Sequence, residues 1–340
     1  MTTLTEVLDL DDARRTYTPK ADRDEVRRNY EYDMERFIAH SSTSDLNPDP
    51  VALEAVLASV SHALEKGLAV EETRAAFGAG KIPLTLAAVR ELEARGHSGV
   101  VTEGARDCIR QYVQHHTEHG FELPASLDAE LRAFLSEAEP GGTSGGSVTL
   151  TRTQINAAVD FDYDRFIQSR YSVRHFTGAP VEAADVERAV ERALKTPRVC
   201  NRETRRVHVA YGTELRNHLL TYHHGNRGFG HKLGAVLVIT SDLRGFDMIG
   251  ERNQPFTDGG LFAMSLAYAF HAAGLGACMM NWSEDTDHDQ LLRNEFDIPE
   301  NEVIVTFLGV GHLPEQFEVA ASPRPQVGEI LQELRVRPKS

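Results

Sequence analysis

Three things are scarce in this sequence of 340 residues: cysteine, positive charge and long apolar runs. Its three cysteines, Cys108, Cys200 and Cys278, are odd in number and far apart. They form no CxxC pair and no zinc spacing, which excludes a disulfide framework and points to a reducing compartment. Lysine and arginine total 36 against 51 aspartates and glutamates, a formal net charge of -15. Nucleic acid and anionic membrane surfaces both need a basic face, so neither is expected as a partner. No apolar run approaches the roughly 18 residues of a membrane span. The stretch from Met1 to Asp12 has neither a basic n-region nor an apolar h-region, so no signal peptide is expected and the cytoplasm is the expected location.

What is present suits a folded globular chain. The hydrophobic share is 41% and the charged share 26%, and the length allows one large or two modest domains. The first half is patterned for helices. Apolar residues recur at helical spacing in Ala21–Ser41, Val51–Lys66, Pro83–Arg95, Thr102–His119 and Ser126–Glu137, with a short helix expected at Glu71–Phe77. Gly67, Gly96 and Gly120 stand where C-cap glycines would. The run Glu139-Pro-Gly-Gly-Thr-Ser-Gly-Gly-Ser147 reads as a flexible linker. The expected division is therefore a helical domain over 1–138, a linker over 139–150 and a second domain over 151–340.

The second half has a different grammar. Val207–Tyr211, Ala235–Thr240, Ala277–Trp282 and Val303–Leu308 read as strands. Helical patterns occupy Ala183–Lys195, Glu214–Tyr222, Gly259–Ala273 and Asp287–Glu295. The third of these is apolar nearly all round, so it should be buried on most faces, with Thr257-Asp258 as its capping residues. An α+β domain with helices on both sides of a sheet is expected.

One stretch carries chemistry most plainly: Ser169-Arg-Tyr-Ser-Val-Arg-His-Phe176. Arg170 and Arg174 lie four residues apart with the Ser172 hydroxyl between them. Two guanidinium forks and a hydroxyl can converge on one anion, phosphate above all. A solvated basic turn is the plainer reading of these eight residues alone.

From Phe161 to Val336 the sequence resembles the FMN-dependent nitroreductase family. The stretch above matches that family's Arg-Arg-Ser-x-Arg-x-Phe pattern, with Tyr171 in place of an arginine. The resemblance gives Arg170, Ser172 and Arg174 the FMN phosphate. Thr196–Thr204 matches the family's Pro-Ser-x-x-Asn-x-Gln-Pro loop, with Asn201 as the asparagine that reaches the flavin. Arg198, Glu203 and Thr204 depart from that pattern. Asn226, in a glycine-bounded loop, matches a further polar contact. Gly274–Trp282 matches the family's Gly-Leu-Gly strand, whose end faces N5 of the flavin, here at Met280, Asn281 and Trp282. For Trp282, core or interface packing is the competing reading. Arg324 fits a basic residue that closes on the phosphate.

The resemblance implies a nitroreductase-like three-layer α-β-α sandwich preceded by an all-helical N-terminal domain. It implies a homodimer with FMN at the interface, because in the family the Asn201 loop comes from the partner subunit. It also implies NAD(P)H as donor, a small organic acceptor and ping-pong turnover. No side-chain nucleophile is needed; Glu203, Arg205 and His312 are open to substrate-pocket or structural roles. Two other readings stand beside this one. The first is an FMN-dependent dehydrogenase or flavin-consuming enzyme of polysaccharide or specialised-metabolite synthesis. The second is a non-catalytic flavin-binding or scaffold protein. No metal site is expected: His115 and His119, like His223-His224, lack a carboxylate motif beside them.

Overall fold

The computed structural model describes residues 22–45, 47–139 and 145–337. Among the described residues five α-helices fill the first half. Helix α1 spans Arg23–His40, capped by the Asp22 carboxylate. Helix α2, Pro50–Ala69, starts with Asp49 as cap and proline at its first position, where the missing N–H costs nothing. Helices α3 (Ile82–Ala94), α4 (Val100–Glu118) and α5 (Ala125–Leu135) follow. Helices α2 to α5 share one core, with Leu57, Leu64, Leu92, Ile109 and Phe134 fully buried.

Glu71–Phe77 is a turn and not the expected helix. Ala76 (φ 52°) and Gly78 (φ 65°) are left-handed, which no helix tolerates. The Phe77 ring instead packs on Tyr112 and His116, with centroids 5.0 and 5.5 Å apart. A Cβ at Gly67 would lie 2.2 Å from that ring. Gly67 therefore lies inside α2 as a seat for Phe77 and does not cap the helix.

Helix α1 joins a different core. Its Phe37 packs with Leu243, Phe246 and Val303. The Tyr32 hydroxyl donates to Asp289 at 2.9 Å, and burial pushes its pKa up to about 12. The buried Arg36 guanidinium donates to the carbonyls of Glu300 (2.9 Å) and Glu302 (2.6 Å). Helix α1 thus packs on the second half of the chain.

Part of the glycine-rich run, 140–144, lies outside the described residues. Gly145–Ser147 is docked on α4: the Gly145 N–H donates to Asp107 at 3.1 Å, and the Gly145 carbonyl accepts from Gln111 at 2.6 Å. A Cβ on Gly145 would fall 1.9 Å from the Gly104 carbonyl oxygen. Close approach, rather than looseness, is what this glycine serves.

The second half carries helices α6 (Arg152–Ala158), α7 (Tyr163–Ser169) and α8 (Ala183–Ala193), then strand β1 (Arg205–Tyr211) and α9 (Thr213–Thr221). Strand β2 (Ala235–Asp242), α10 (Gln254–Ala272), β3 (Leu275–Asn281), α11 (Thr286–Glu295) and β4 (Glu302–His312) complete it. The sheet is antiparallel throughout, in the order β1-β2-β4-β3. Alternation of side chains splits β2 and β4 between two cores. Leu237, Ile239, Leu308 and Val310 pack with α8 and α10 on one face. Val236, Val238 and Phe307 pack with Leu219 of α9 and Leu292 of α11 on the other. This is the three-layer α-β-α sandwich expected, preceded by helices. Helix α10 starts one turn before Thr257-Asp258, so Asp258 is no cap; it is 1% exposed inside the helix.

Candidate functional site

Residues 172–177 run along the edge of β3. Ser172 forms a parallel bridge with Ala277, the Val173 N–H donates to the Ala277 carbonyl at 3.0 Å, and the Thr177 N–H donates to His312 at 3.0 Å. Val173 and Phe176 anchor the segment in the core. The Phe176 ring approaches the sheet so closely that a Cβ on Gly311 or Gly276 would lie 2.8 or 3.1 Å from it. With this anchoring, Arg170 and Tyr171 line a cavity of about 260 Å³ together with Ser169, His271, Leu313 and Phe317. Arg174 is exposed, and its charge opposes the upward push that burial exerts on the Cys278 thiol. Neither Arg170 nor Arg174 forms an ion pair among the described residues.

The Asn201 loop is built differently. Cys200 (φ 48°) and Asn201 (φ 58°) are consecutive left-handed residues, a conformation that costs roughly 1–2 kcal/mol for a residue such as cysteine. The surroundings hold it. Arg202, 1% exposed, pairs with Glu251 and, at 3.1 Å, with Asp247. Arg205 grips Glu203 at 2.7 Å and the Thr196 carbonyl at 3.1 Å. The Val199 N–H donates to Asp258 at 3.0 Å. Glu203 also faces Arg198 at 3.6 Å, and the Thr204 carbonyl accepts from the Asp242 N–H at 2.7 Å. The three residues that depart from the family pattern therefore brace the loop. The exposed Asn201 side chain has no partner among the described residues.

The two corners are far apart in one chain. Strand β1 is three strand spacings, about 14 Å, from β3. The loop also lies at the opposite end of the strands, since Arg205 is level with Ser241 while Leu275 is level with His312.

The far end of β3 carries the other expected residues. Met280 is buried. The Asn281 amide donates to the Ser283 hydroxyl. Trp282 donates to Asp289 at 2.9 Å and stacks on Phe307 at 5.1 Å, so it packs between sheet and helix. Asn281 lines a cavity of about 770 Å³ with Tyr30, Asp33, His224, Glu284 and Asp285. That α1 supplies a wall here had no signal in the sequence. Asn226 spends its amide on the carbonyls of Leu220 (2.9 Å) and His223, holding its own loop. Exposed Arg324 donates to the Ser322 carbonyl at 2.6 Å. His312 reaches the Pro180 carbonyl at 3.0 Å. One chain thus brings Arg170, Ser172 and Arg174 to the near part of β3 and Met280, Asn281 and Trp282 to its far end. It brings the loop of Asn226 to that far end as well, where Gly225 lines the same cavity as Asn281, and leaves Asn201 beside β1.

Among the described residues no helix is long and apolar enough to cross a membrane. The model of the nitroreductase family matches residues 167–226 and 218–312. Similar solved structures include an FMN-dependent nitroreductase from Clostridium difficile, 19% identical, with a TM-score of 0.40 over 46% of this chain and 91% of that one. A nitroreductase family protein from Streptococcus pneumoniae is 19% identical, with a TM-score of 0.42 over 51% and 100% of the two chains. A nitroreductase-like family protein from Bacillus cereus is 18% identical, with a TM-score of 0.43 over 55% and 99%. No curated protein matches the chain. The family-model match spans residues 167–312, somewhat under half of the chain, and this similarity to nitroreductases points to an oxidoreductase.

Proposed function

We propose that the chain is an FMN-dependent oxidoreductase that works as a homodimer, with NAD(P)H as donor and a small organic molecule as acceptor. The observation that carries this reading is the segment with Arg170, Ser172 and Arg174, two guanidiniums without a carboxylate partner among the described residues, in a chain of net charge -15. This donor set fits the phosphate of FMN. Each charge-assisted hydrogen bond is worth about 1.5–3 kcal/mol, so several hold the cofactor without a covalent bond. Bound there, FMN would supply hydride uptake and delivery. The backbone at Met280 to Trp282 would orient its ring. The unspent Asn201 amide offers both donor and acceptor to a ring edge. Its place at the opposite corner supports a second copy as the source of that contact, and exposed Arg324 would close on the phosphate.

A second reading has one observation in its favour. The cavity at Asn281 is lined by Glu25, Asp33, Glu284 and Asp285 and by no lysine or arginine. Such a wall repels a dinucleotide pyrophosphate, which favours a flavin dehydrogenase whose electrons come from its own substrate.

The test is an absorbance spectrum of the purified protein, release of FMN by heat, and anaerobic addition of NADH or NADPH. Bleaching supports the reductase. Bound flavin that neither nicotinamide reduces supports the dehydrogenase. Protein that is colourless and takes up no added FMN overturns both.

A further inference from the structure

His224, Glu284 and His288 converge although they come from three separate places: the turn after α9, the loop after β3 and the first turn of α11. Each offers one ligand atom, and these atoms lie within 4.8 Å of one another. His224 Nδ1 is 2.9 and 3.1 Å from the two Glu284 oxygens. The His224 and His288 rings are 4.8 Å apart. His288 is oriented from behind: its Nε2 meets the Tyr222 carbonyl at 2.7 Å, and the Trp282 ring packs against it at 5.7 Å. A backbone carbonyl on one ring nitrogen is the support that a metal-binding imidazole usually keeps.

We propose that these three residues form a divalent transition-metal site, with Zn²⁺ as the fitting occupant. Two imidazoles and one carboxylate are a donor set zinc takes when it keeps a fourth position open. Zinc–ligand bonds of about 2.1 Å at tetrahedral angles set ligand atoms about 3.4 Å apart, so the cluster closes by roughly 1 Å on binding. The His224 side chain, 68% exposed, is free to make that move. His224 and Glu284 both line the 770 Å³ cavity, so the open position faces it. The acidic wall of Glu25, Asp33 and Asp285 draws cations toward the site. The stacked pair His115 and His119 makes a useful contrast. There too one nitrogen of each ring is taken, by Thr73 and by the His115 carbonyl, but among the described residues no carboxylate or other third ligand converges on the pair. The metal site stands independently of the flavin reading.

The experiment is calorimetric titration of the full chain, stripped with chelator, with Zn²⁺ alone. Titration with Co²⁺ then reports the ligand field by visible absorption. One saturable site per chain is expected, weakened at least tenfold by His224→Ala and by Glu284→Gln and unchanged by His119→Ala. Co²⁺ should give visible bands that His224→Ala removes. His224 is exposed, so its variant decides the matter even if His288→Ala fails to fold. No saturable Zn²⁺ uptake at micromolar concentrations overturns the proposal, as does uptake that survives His224→Ala and Glu284→Gln together or is lost in His119→Ala.

Discussion

At the start of β3 the arginines stand without carboxylate partners among the described residues, whereas at the start of β1 every arginine is matched. Arg198, Arg202, Arg205 and Arg206 all pair, with Glu203, with Glu251 and Asp247, with Glu203, and with Asp242 respectively. Arg202 and Arg205 are almost wholly buried, while Arg174 is exposed and Arg170 half-buried. The same side chain therefore does two jobs in one domain. Buried and paired, it braces a strained turn; unpaired beside a strand, it leaves a place for an anion.

Breaking the braced corner should have the largest effect. Glu251→Ala leaves the buried Arg202 charge with only the half-exposed Asp247 for a partner and should cost about 3 kcal/mol in urea unfolding, with Glu251→Gln costing less. Emptying the unpaired corner should leave stability alone and remove binding. The double variant Arg170→Ala and Arg174→Ala should weaken FMN affinity by at least about 100-fold in a fluorescence titration, while unfolding moves by less than about 0.5 kcal/mol.

Acid should also separate the corners. Asp242 is 1% exposed, and burial alone would raise its pKa, yet hydrogen bonds from Arg244 and Asn301 hold it below the usual carboxylate value. A lowered folded-state pKa contributes stability that is present above the unfolded value of about 3.9 and is lost as pH falls through the folded value. Amide protection factors around 199–206, exchange rates taken relative to the free-peptide rate at the same pH, should therefore fall as pH drops below about 4, and Asp242→Asn should flatten that slope. The smallest effect belongs to Asn201→Gly. It relieves a left-handed φ of 58° and should gain a few tenths of a kcal/mol in stability while weakening flavin binding.

Much of the domain was legible from sequence because local pattern and tertiary packing agree there. The four strands announce themselves as β-branched and apolar runs, and 170–176 by its charge spacing. What stayed hidden depends on long-range partners. Nothing local in α1 shows that Tyr32 and Arg36 will meet Asp289 and Glu302, more than 250 residues away. Gly145 reads as looseness because its collision partner, the Gly104 carbonyl, lies in another element. Asp258 reads as a cap because its partner, the Val199 N–H, lies 59 residues upstream. His224 and His288 escape any spacing rule for the same reason.

The separation of Asn201 from Arg174 leads to one direct test of a flavin site shared by two copies. Arg174→Ala and Asn201→Gly chains are prepared separately, unfolded, mixed and refolded together, and FMN binding is titrated. A mixed dimer holds one intact site, with Arg174 from one chain and Asn201 from the other, so the mixture should regain a tight-binding fraction that neither variant has alone. A mixture that binds FMN no better than its two components would contradict the shared site.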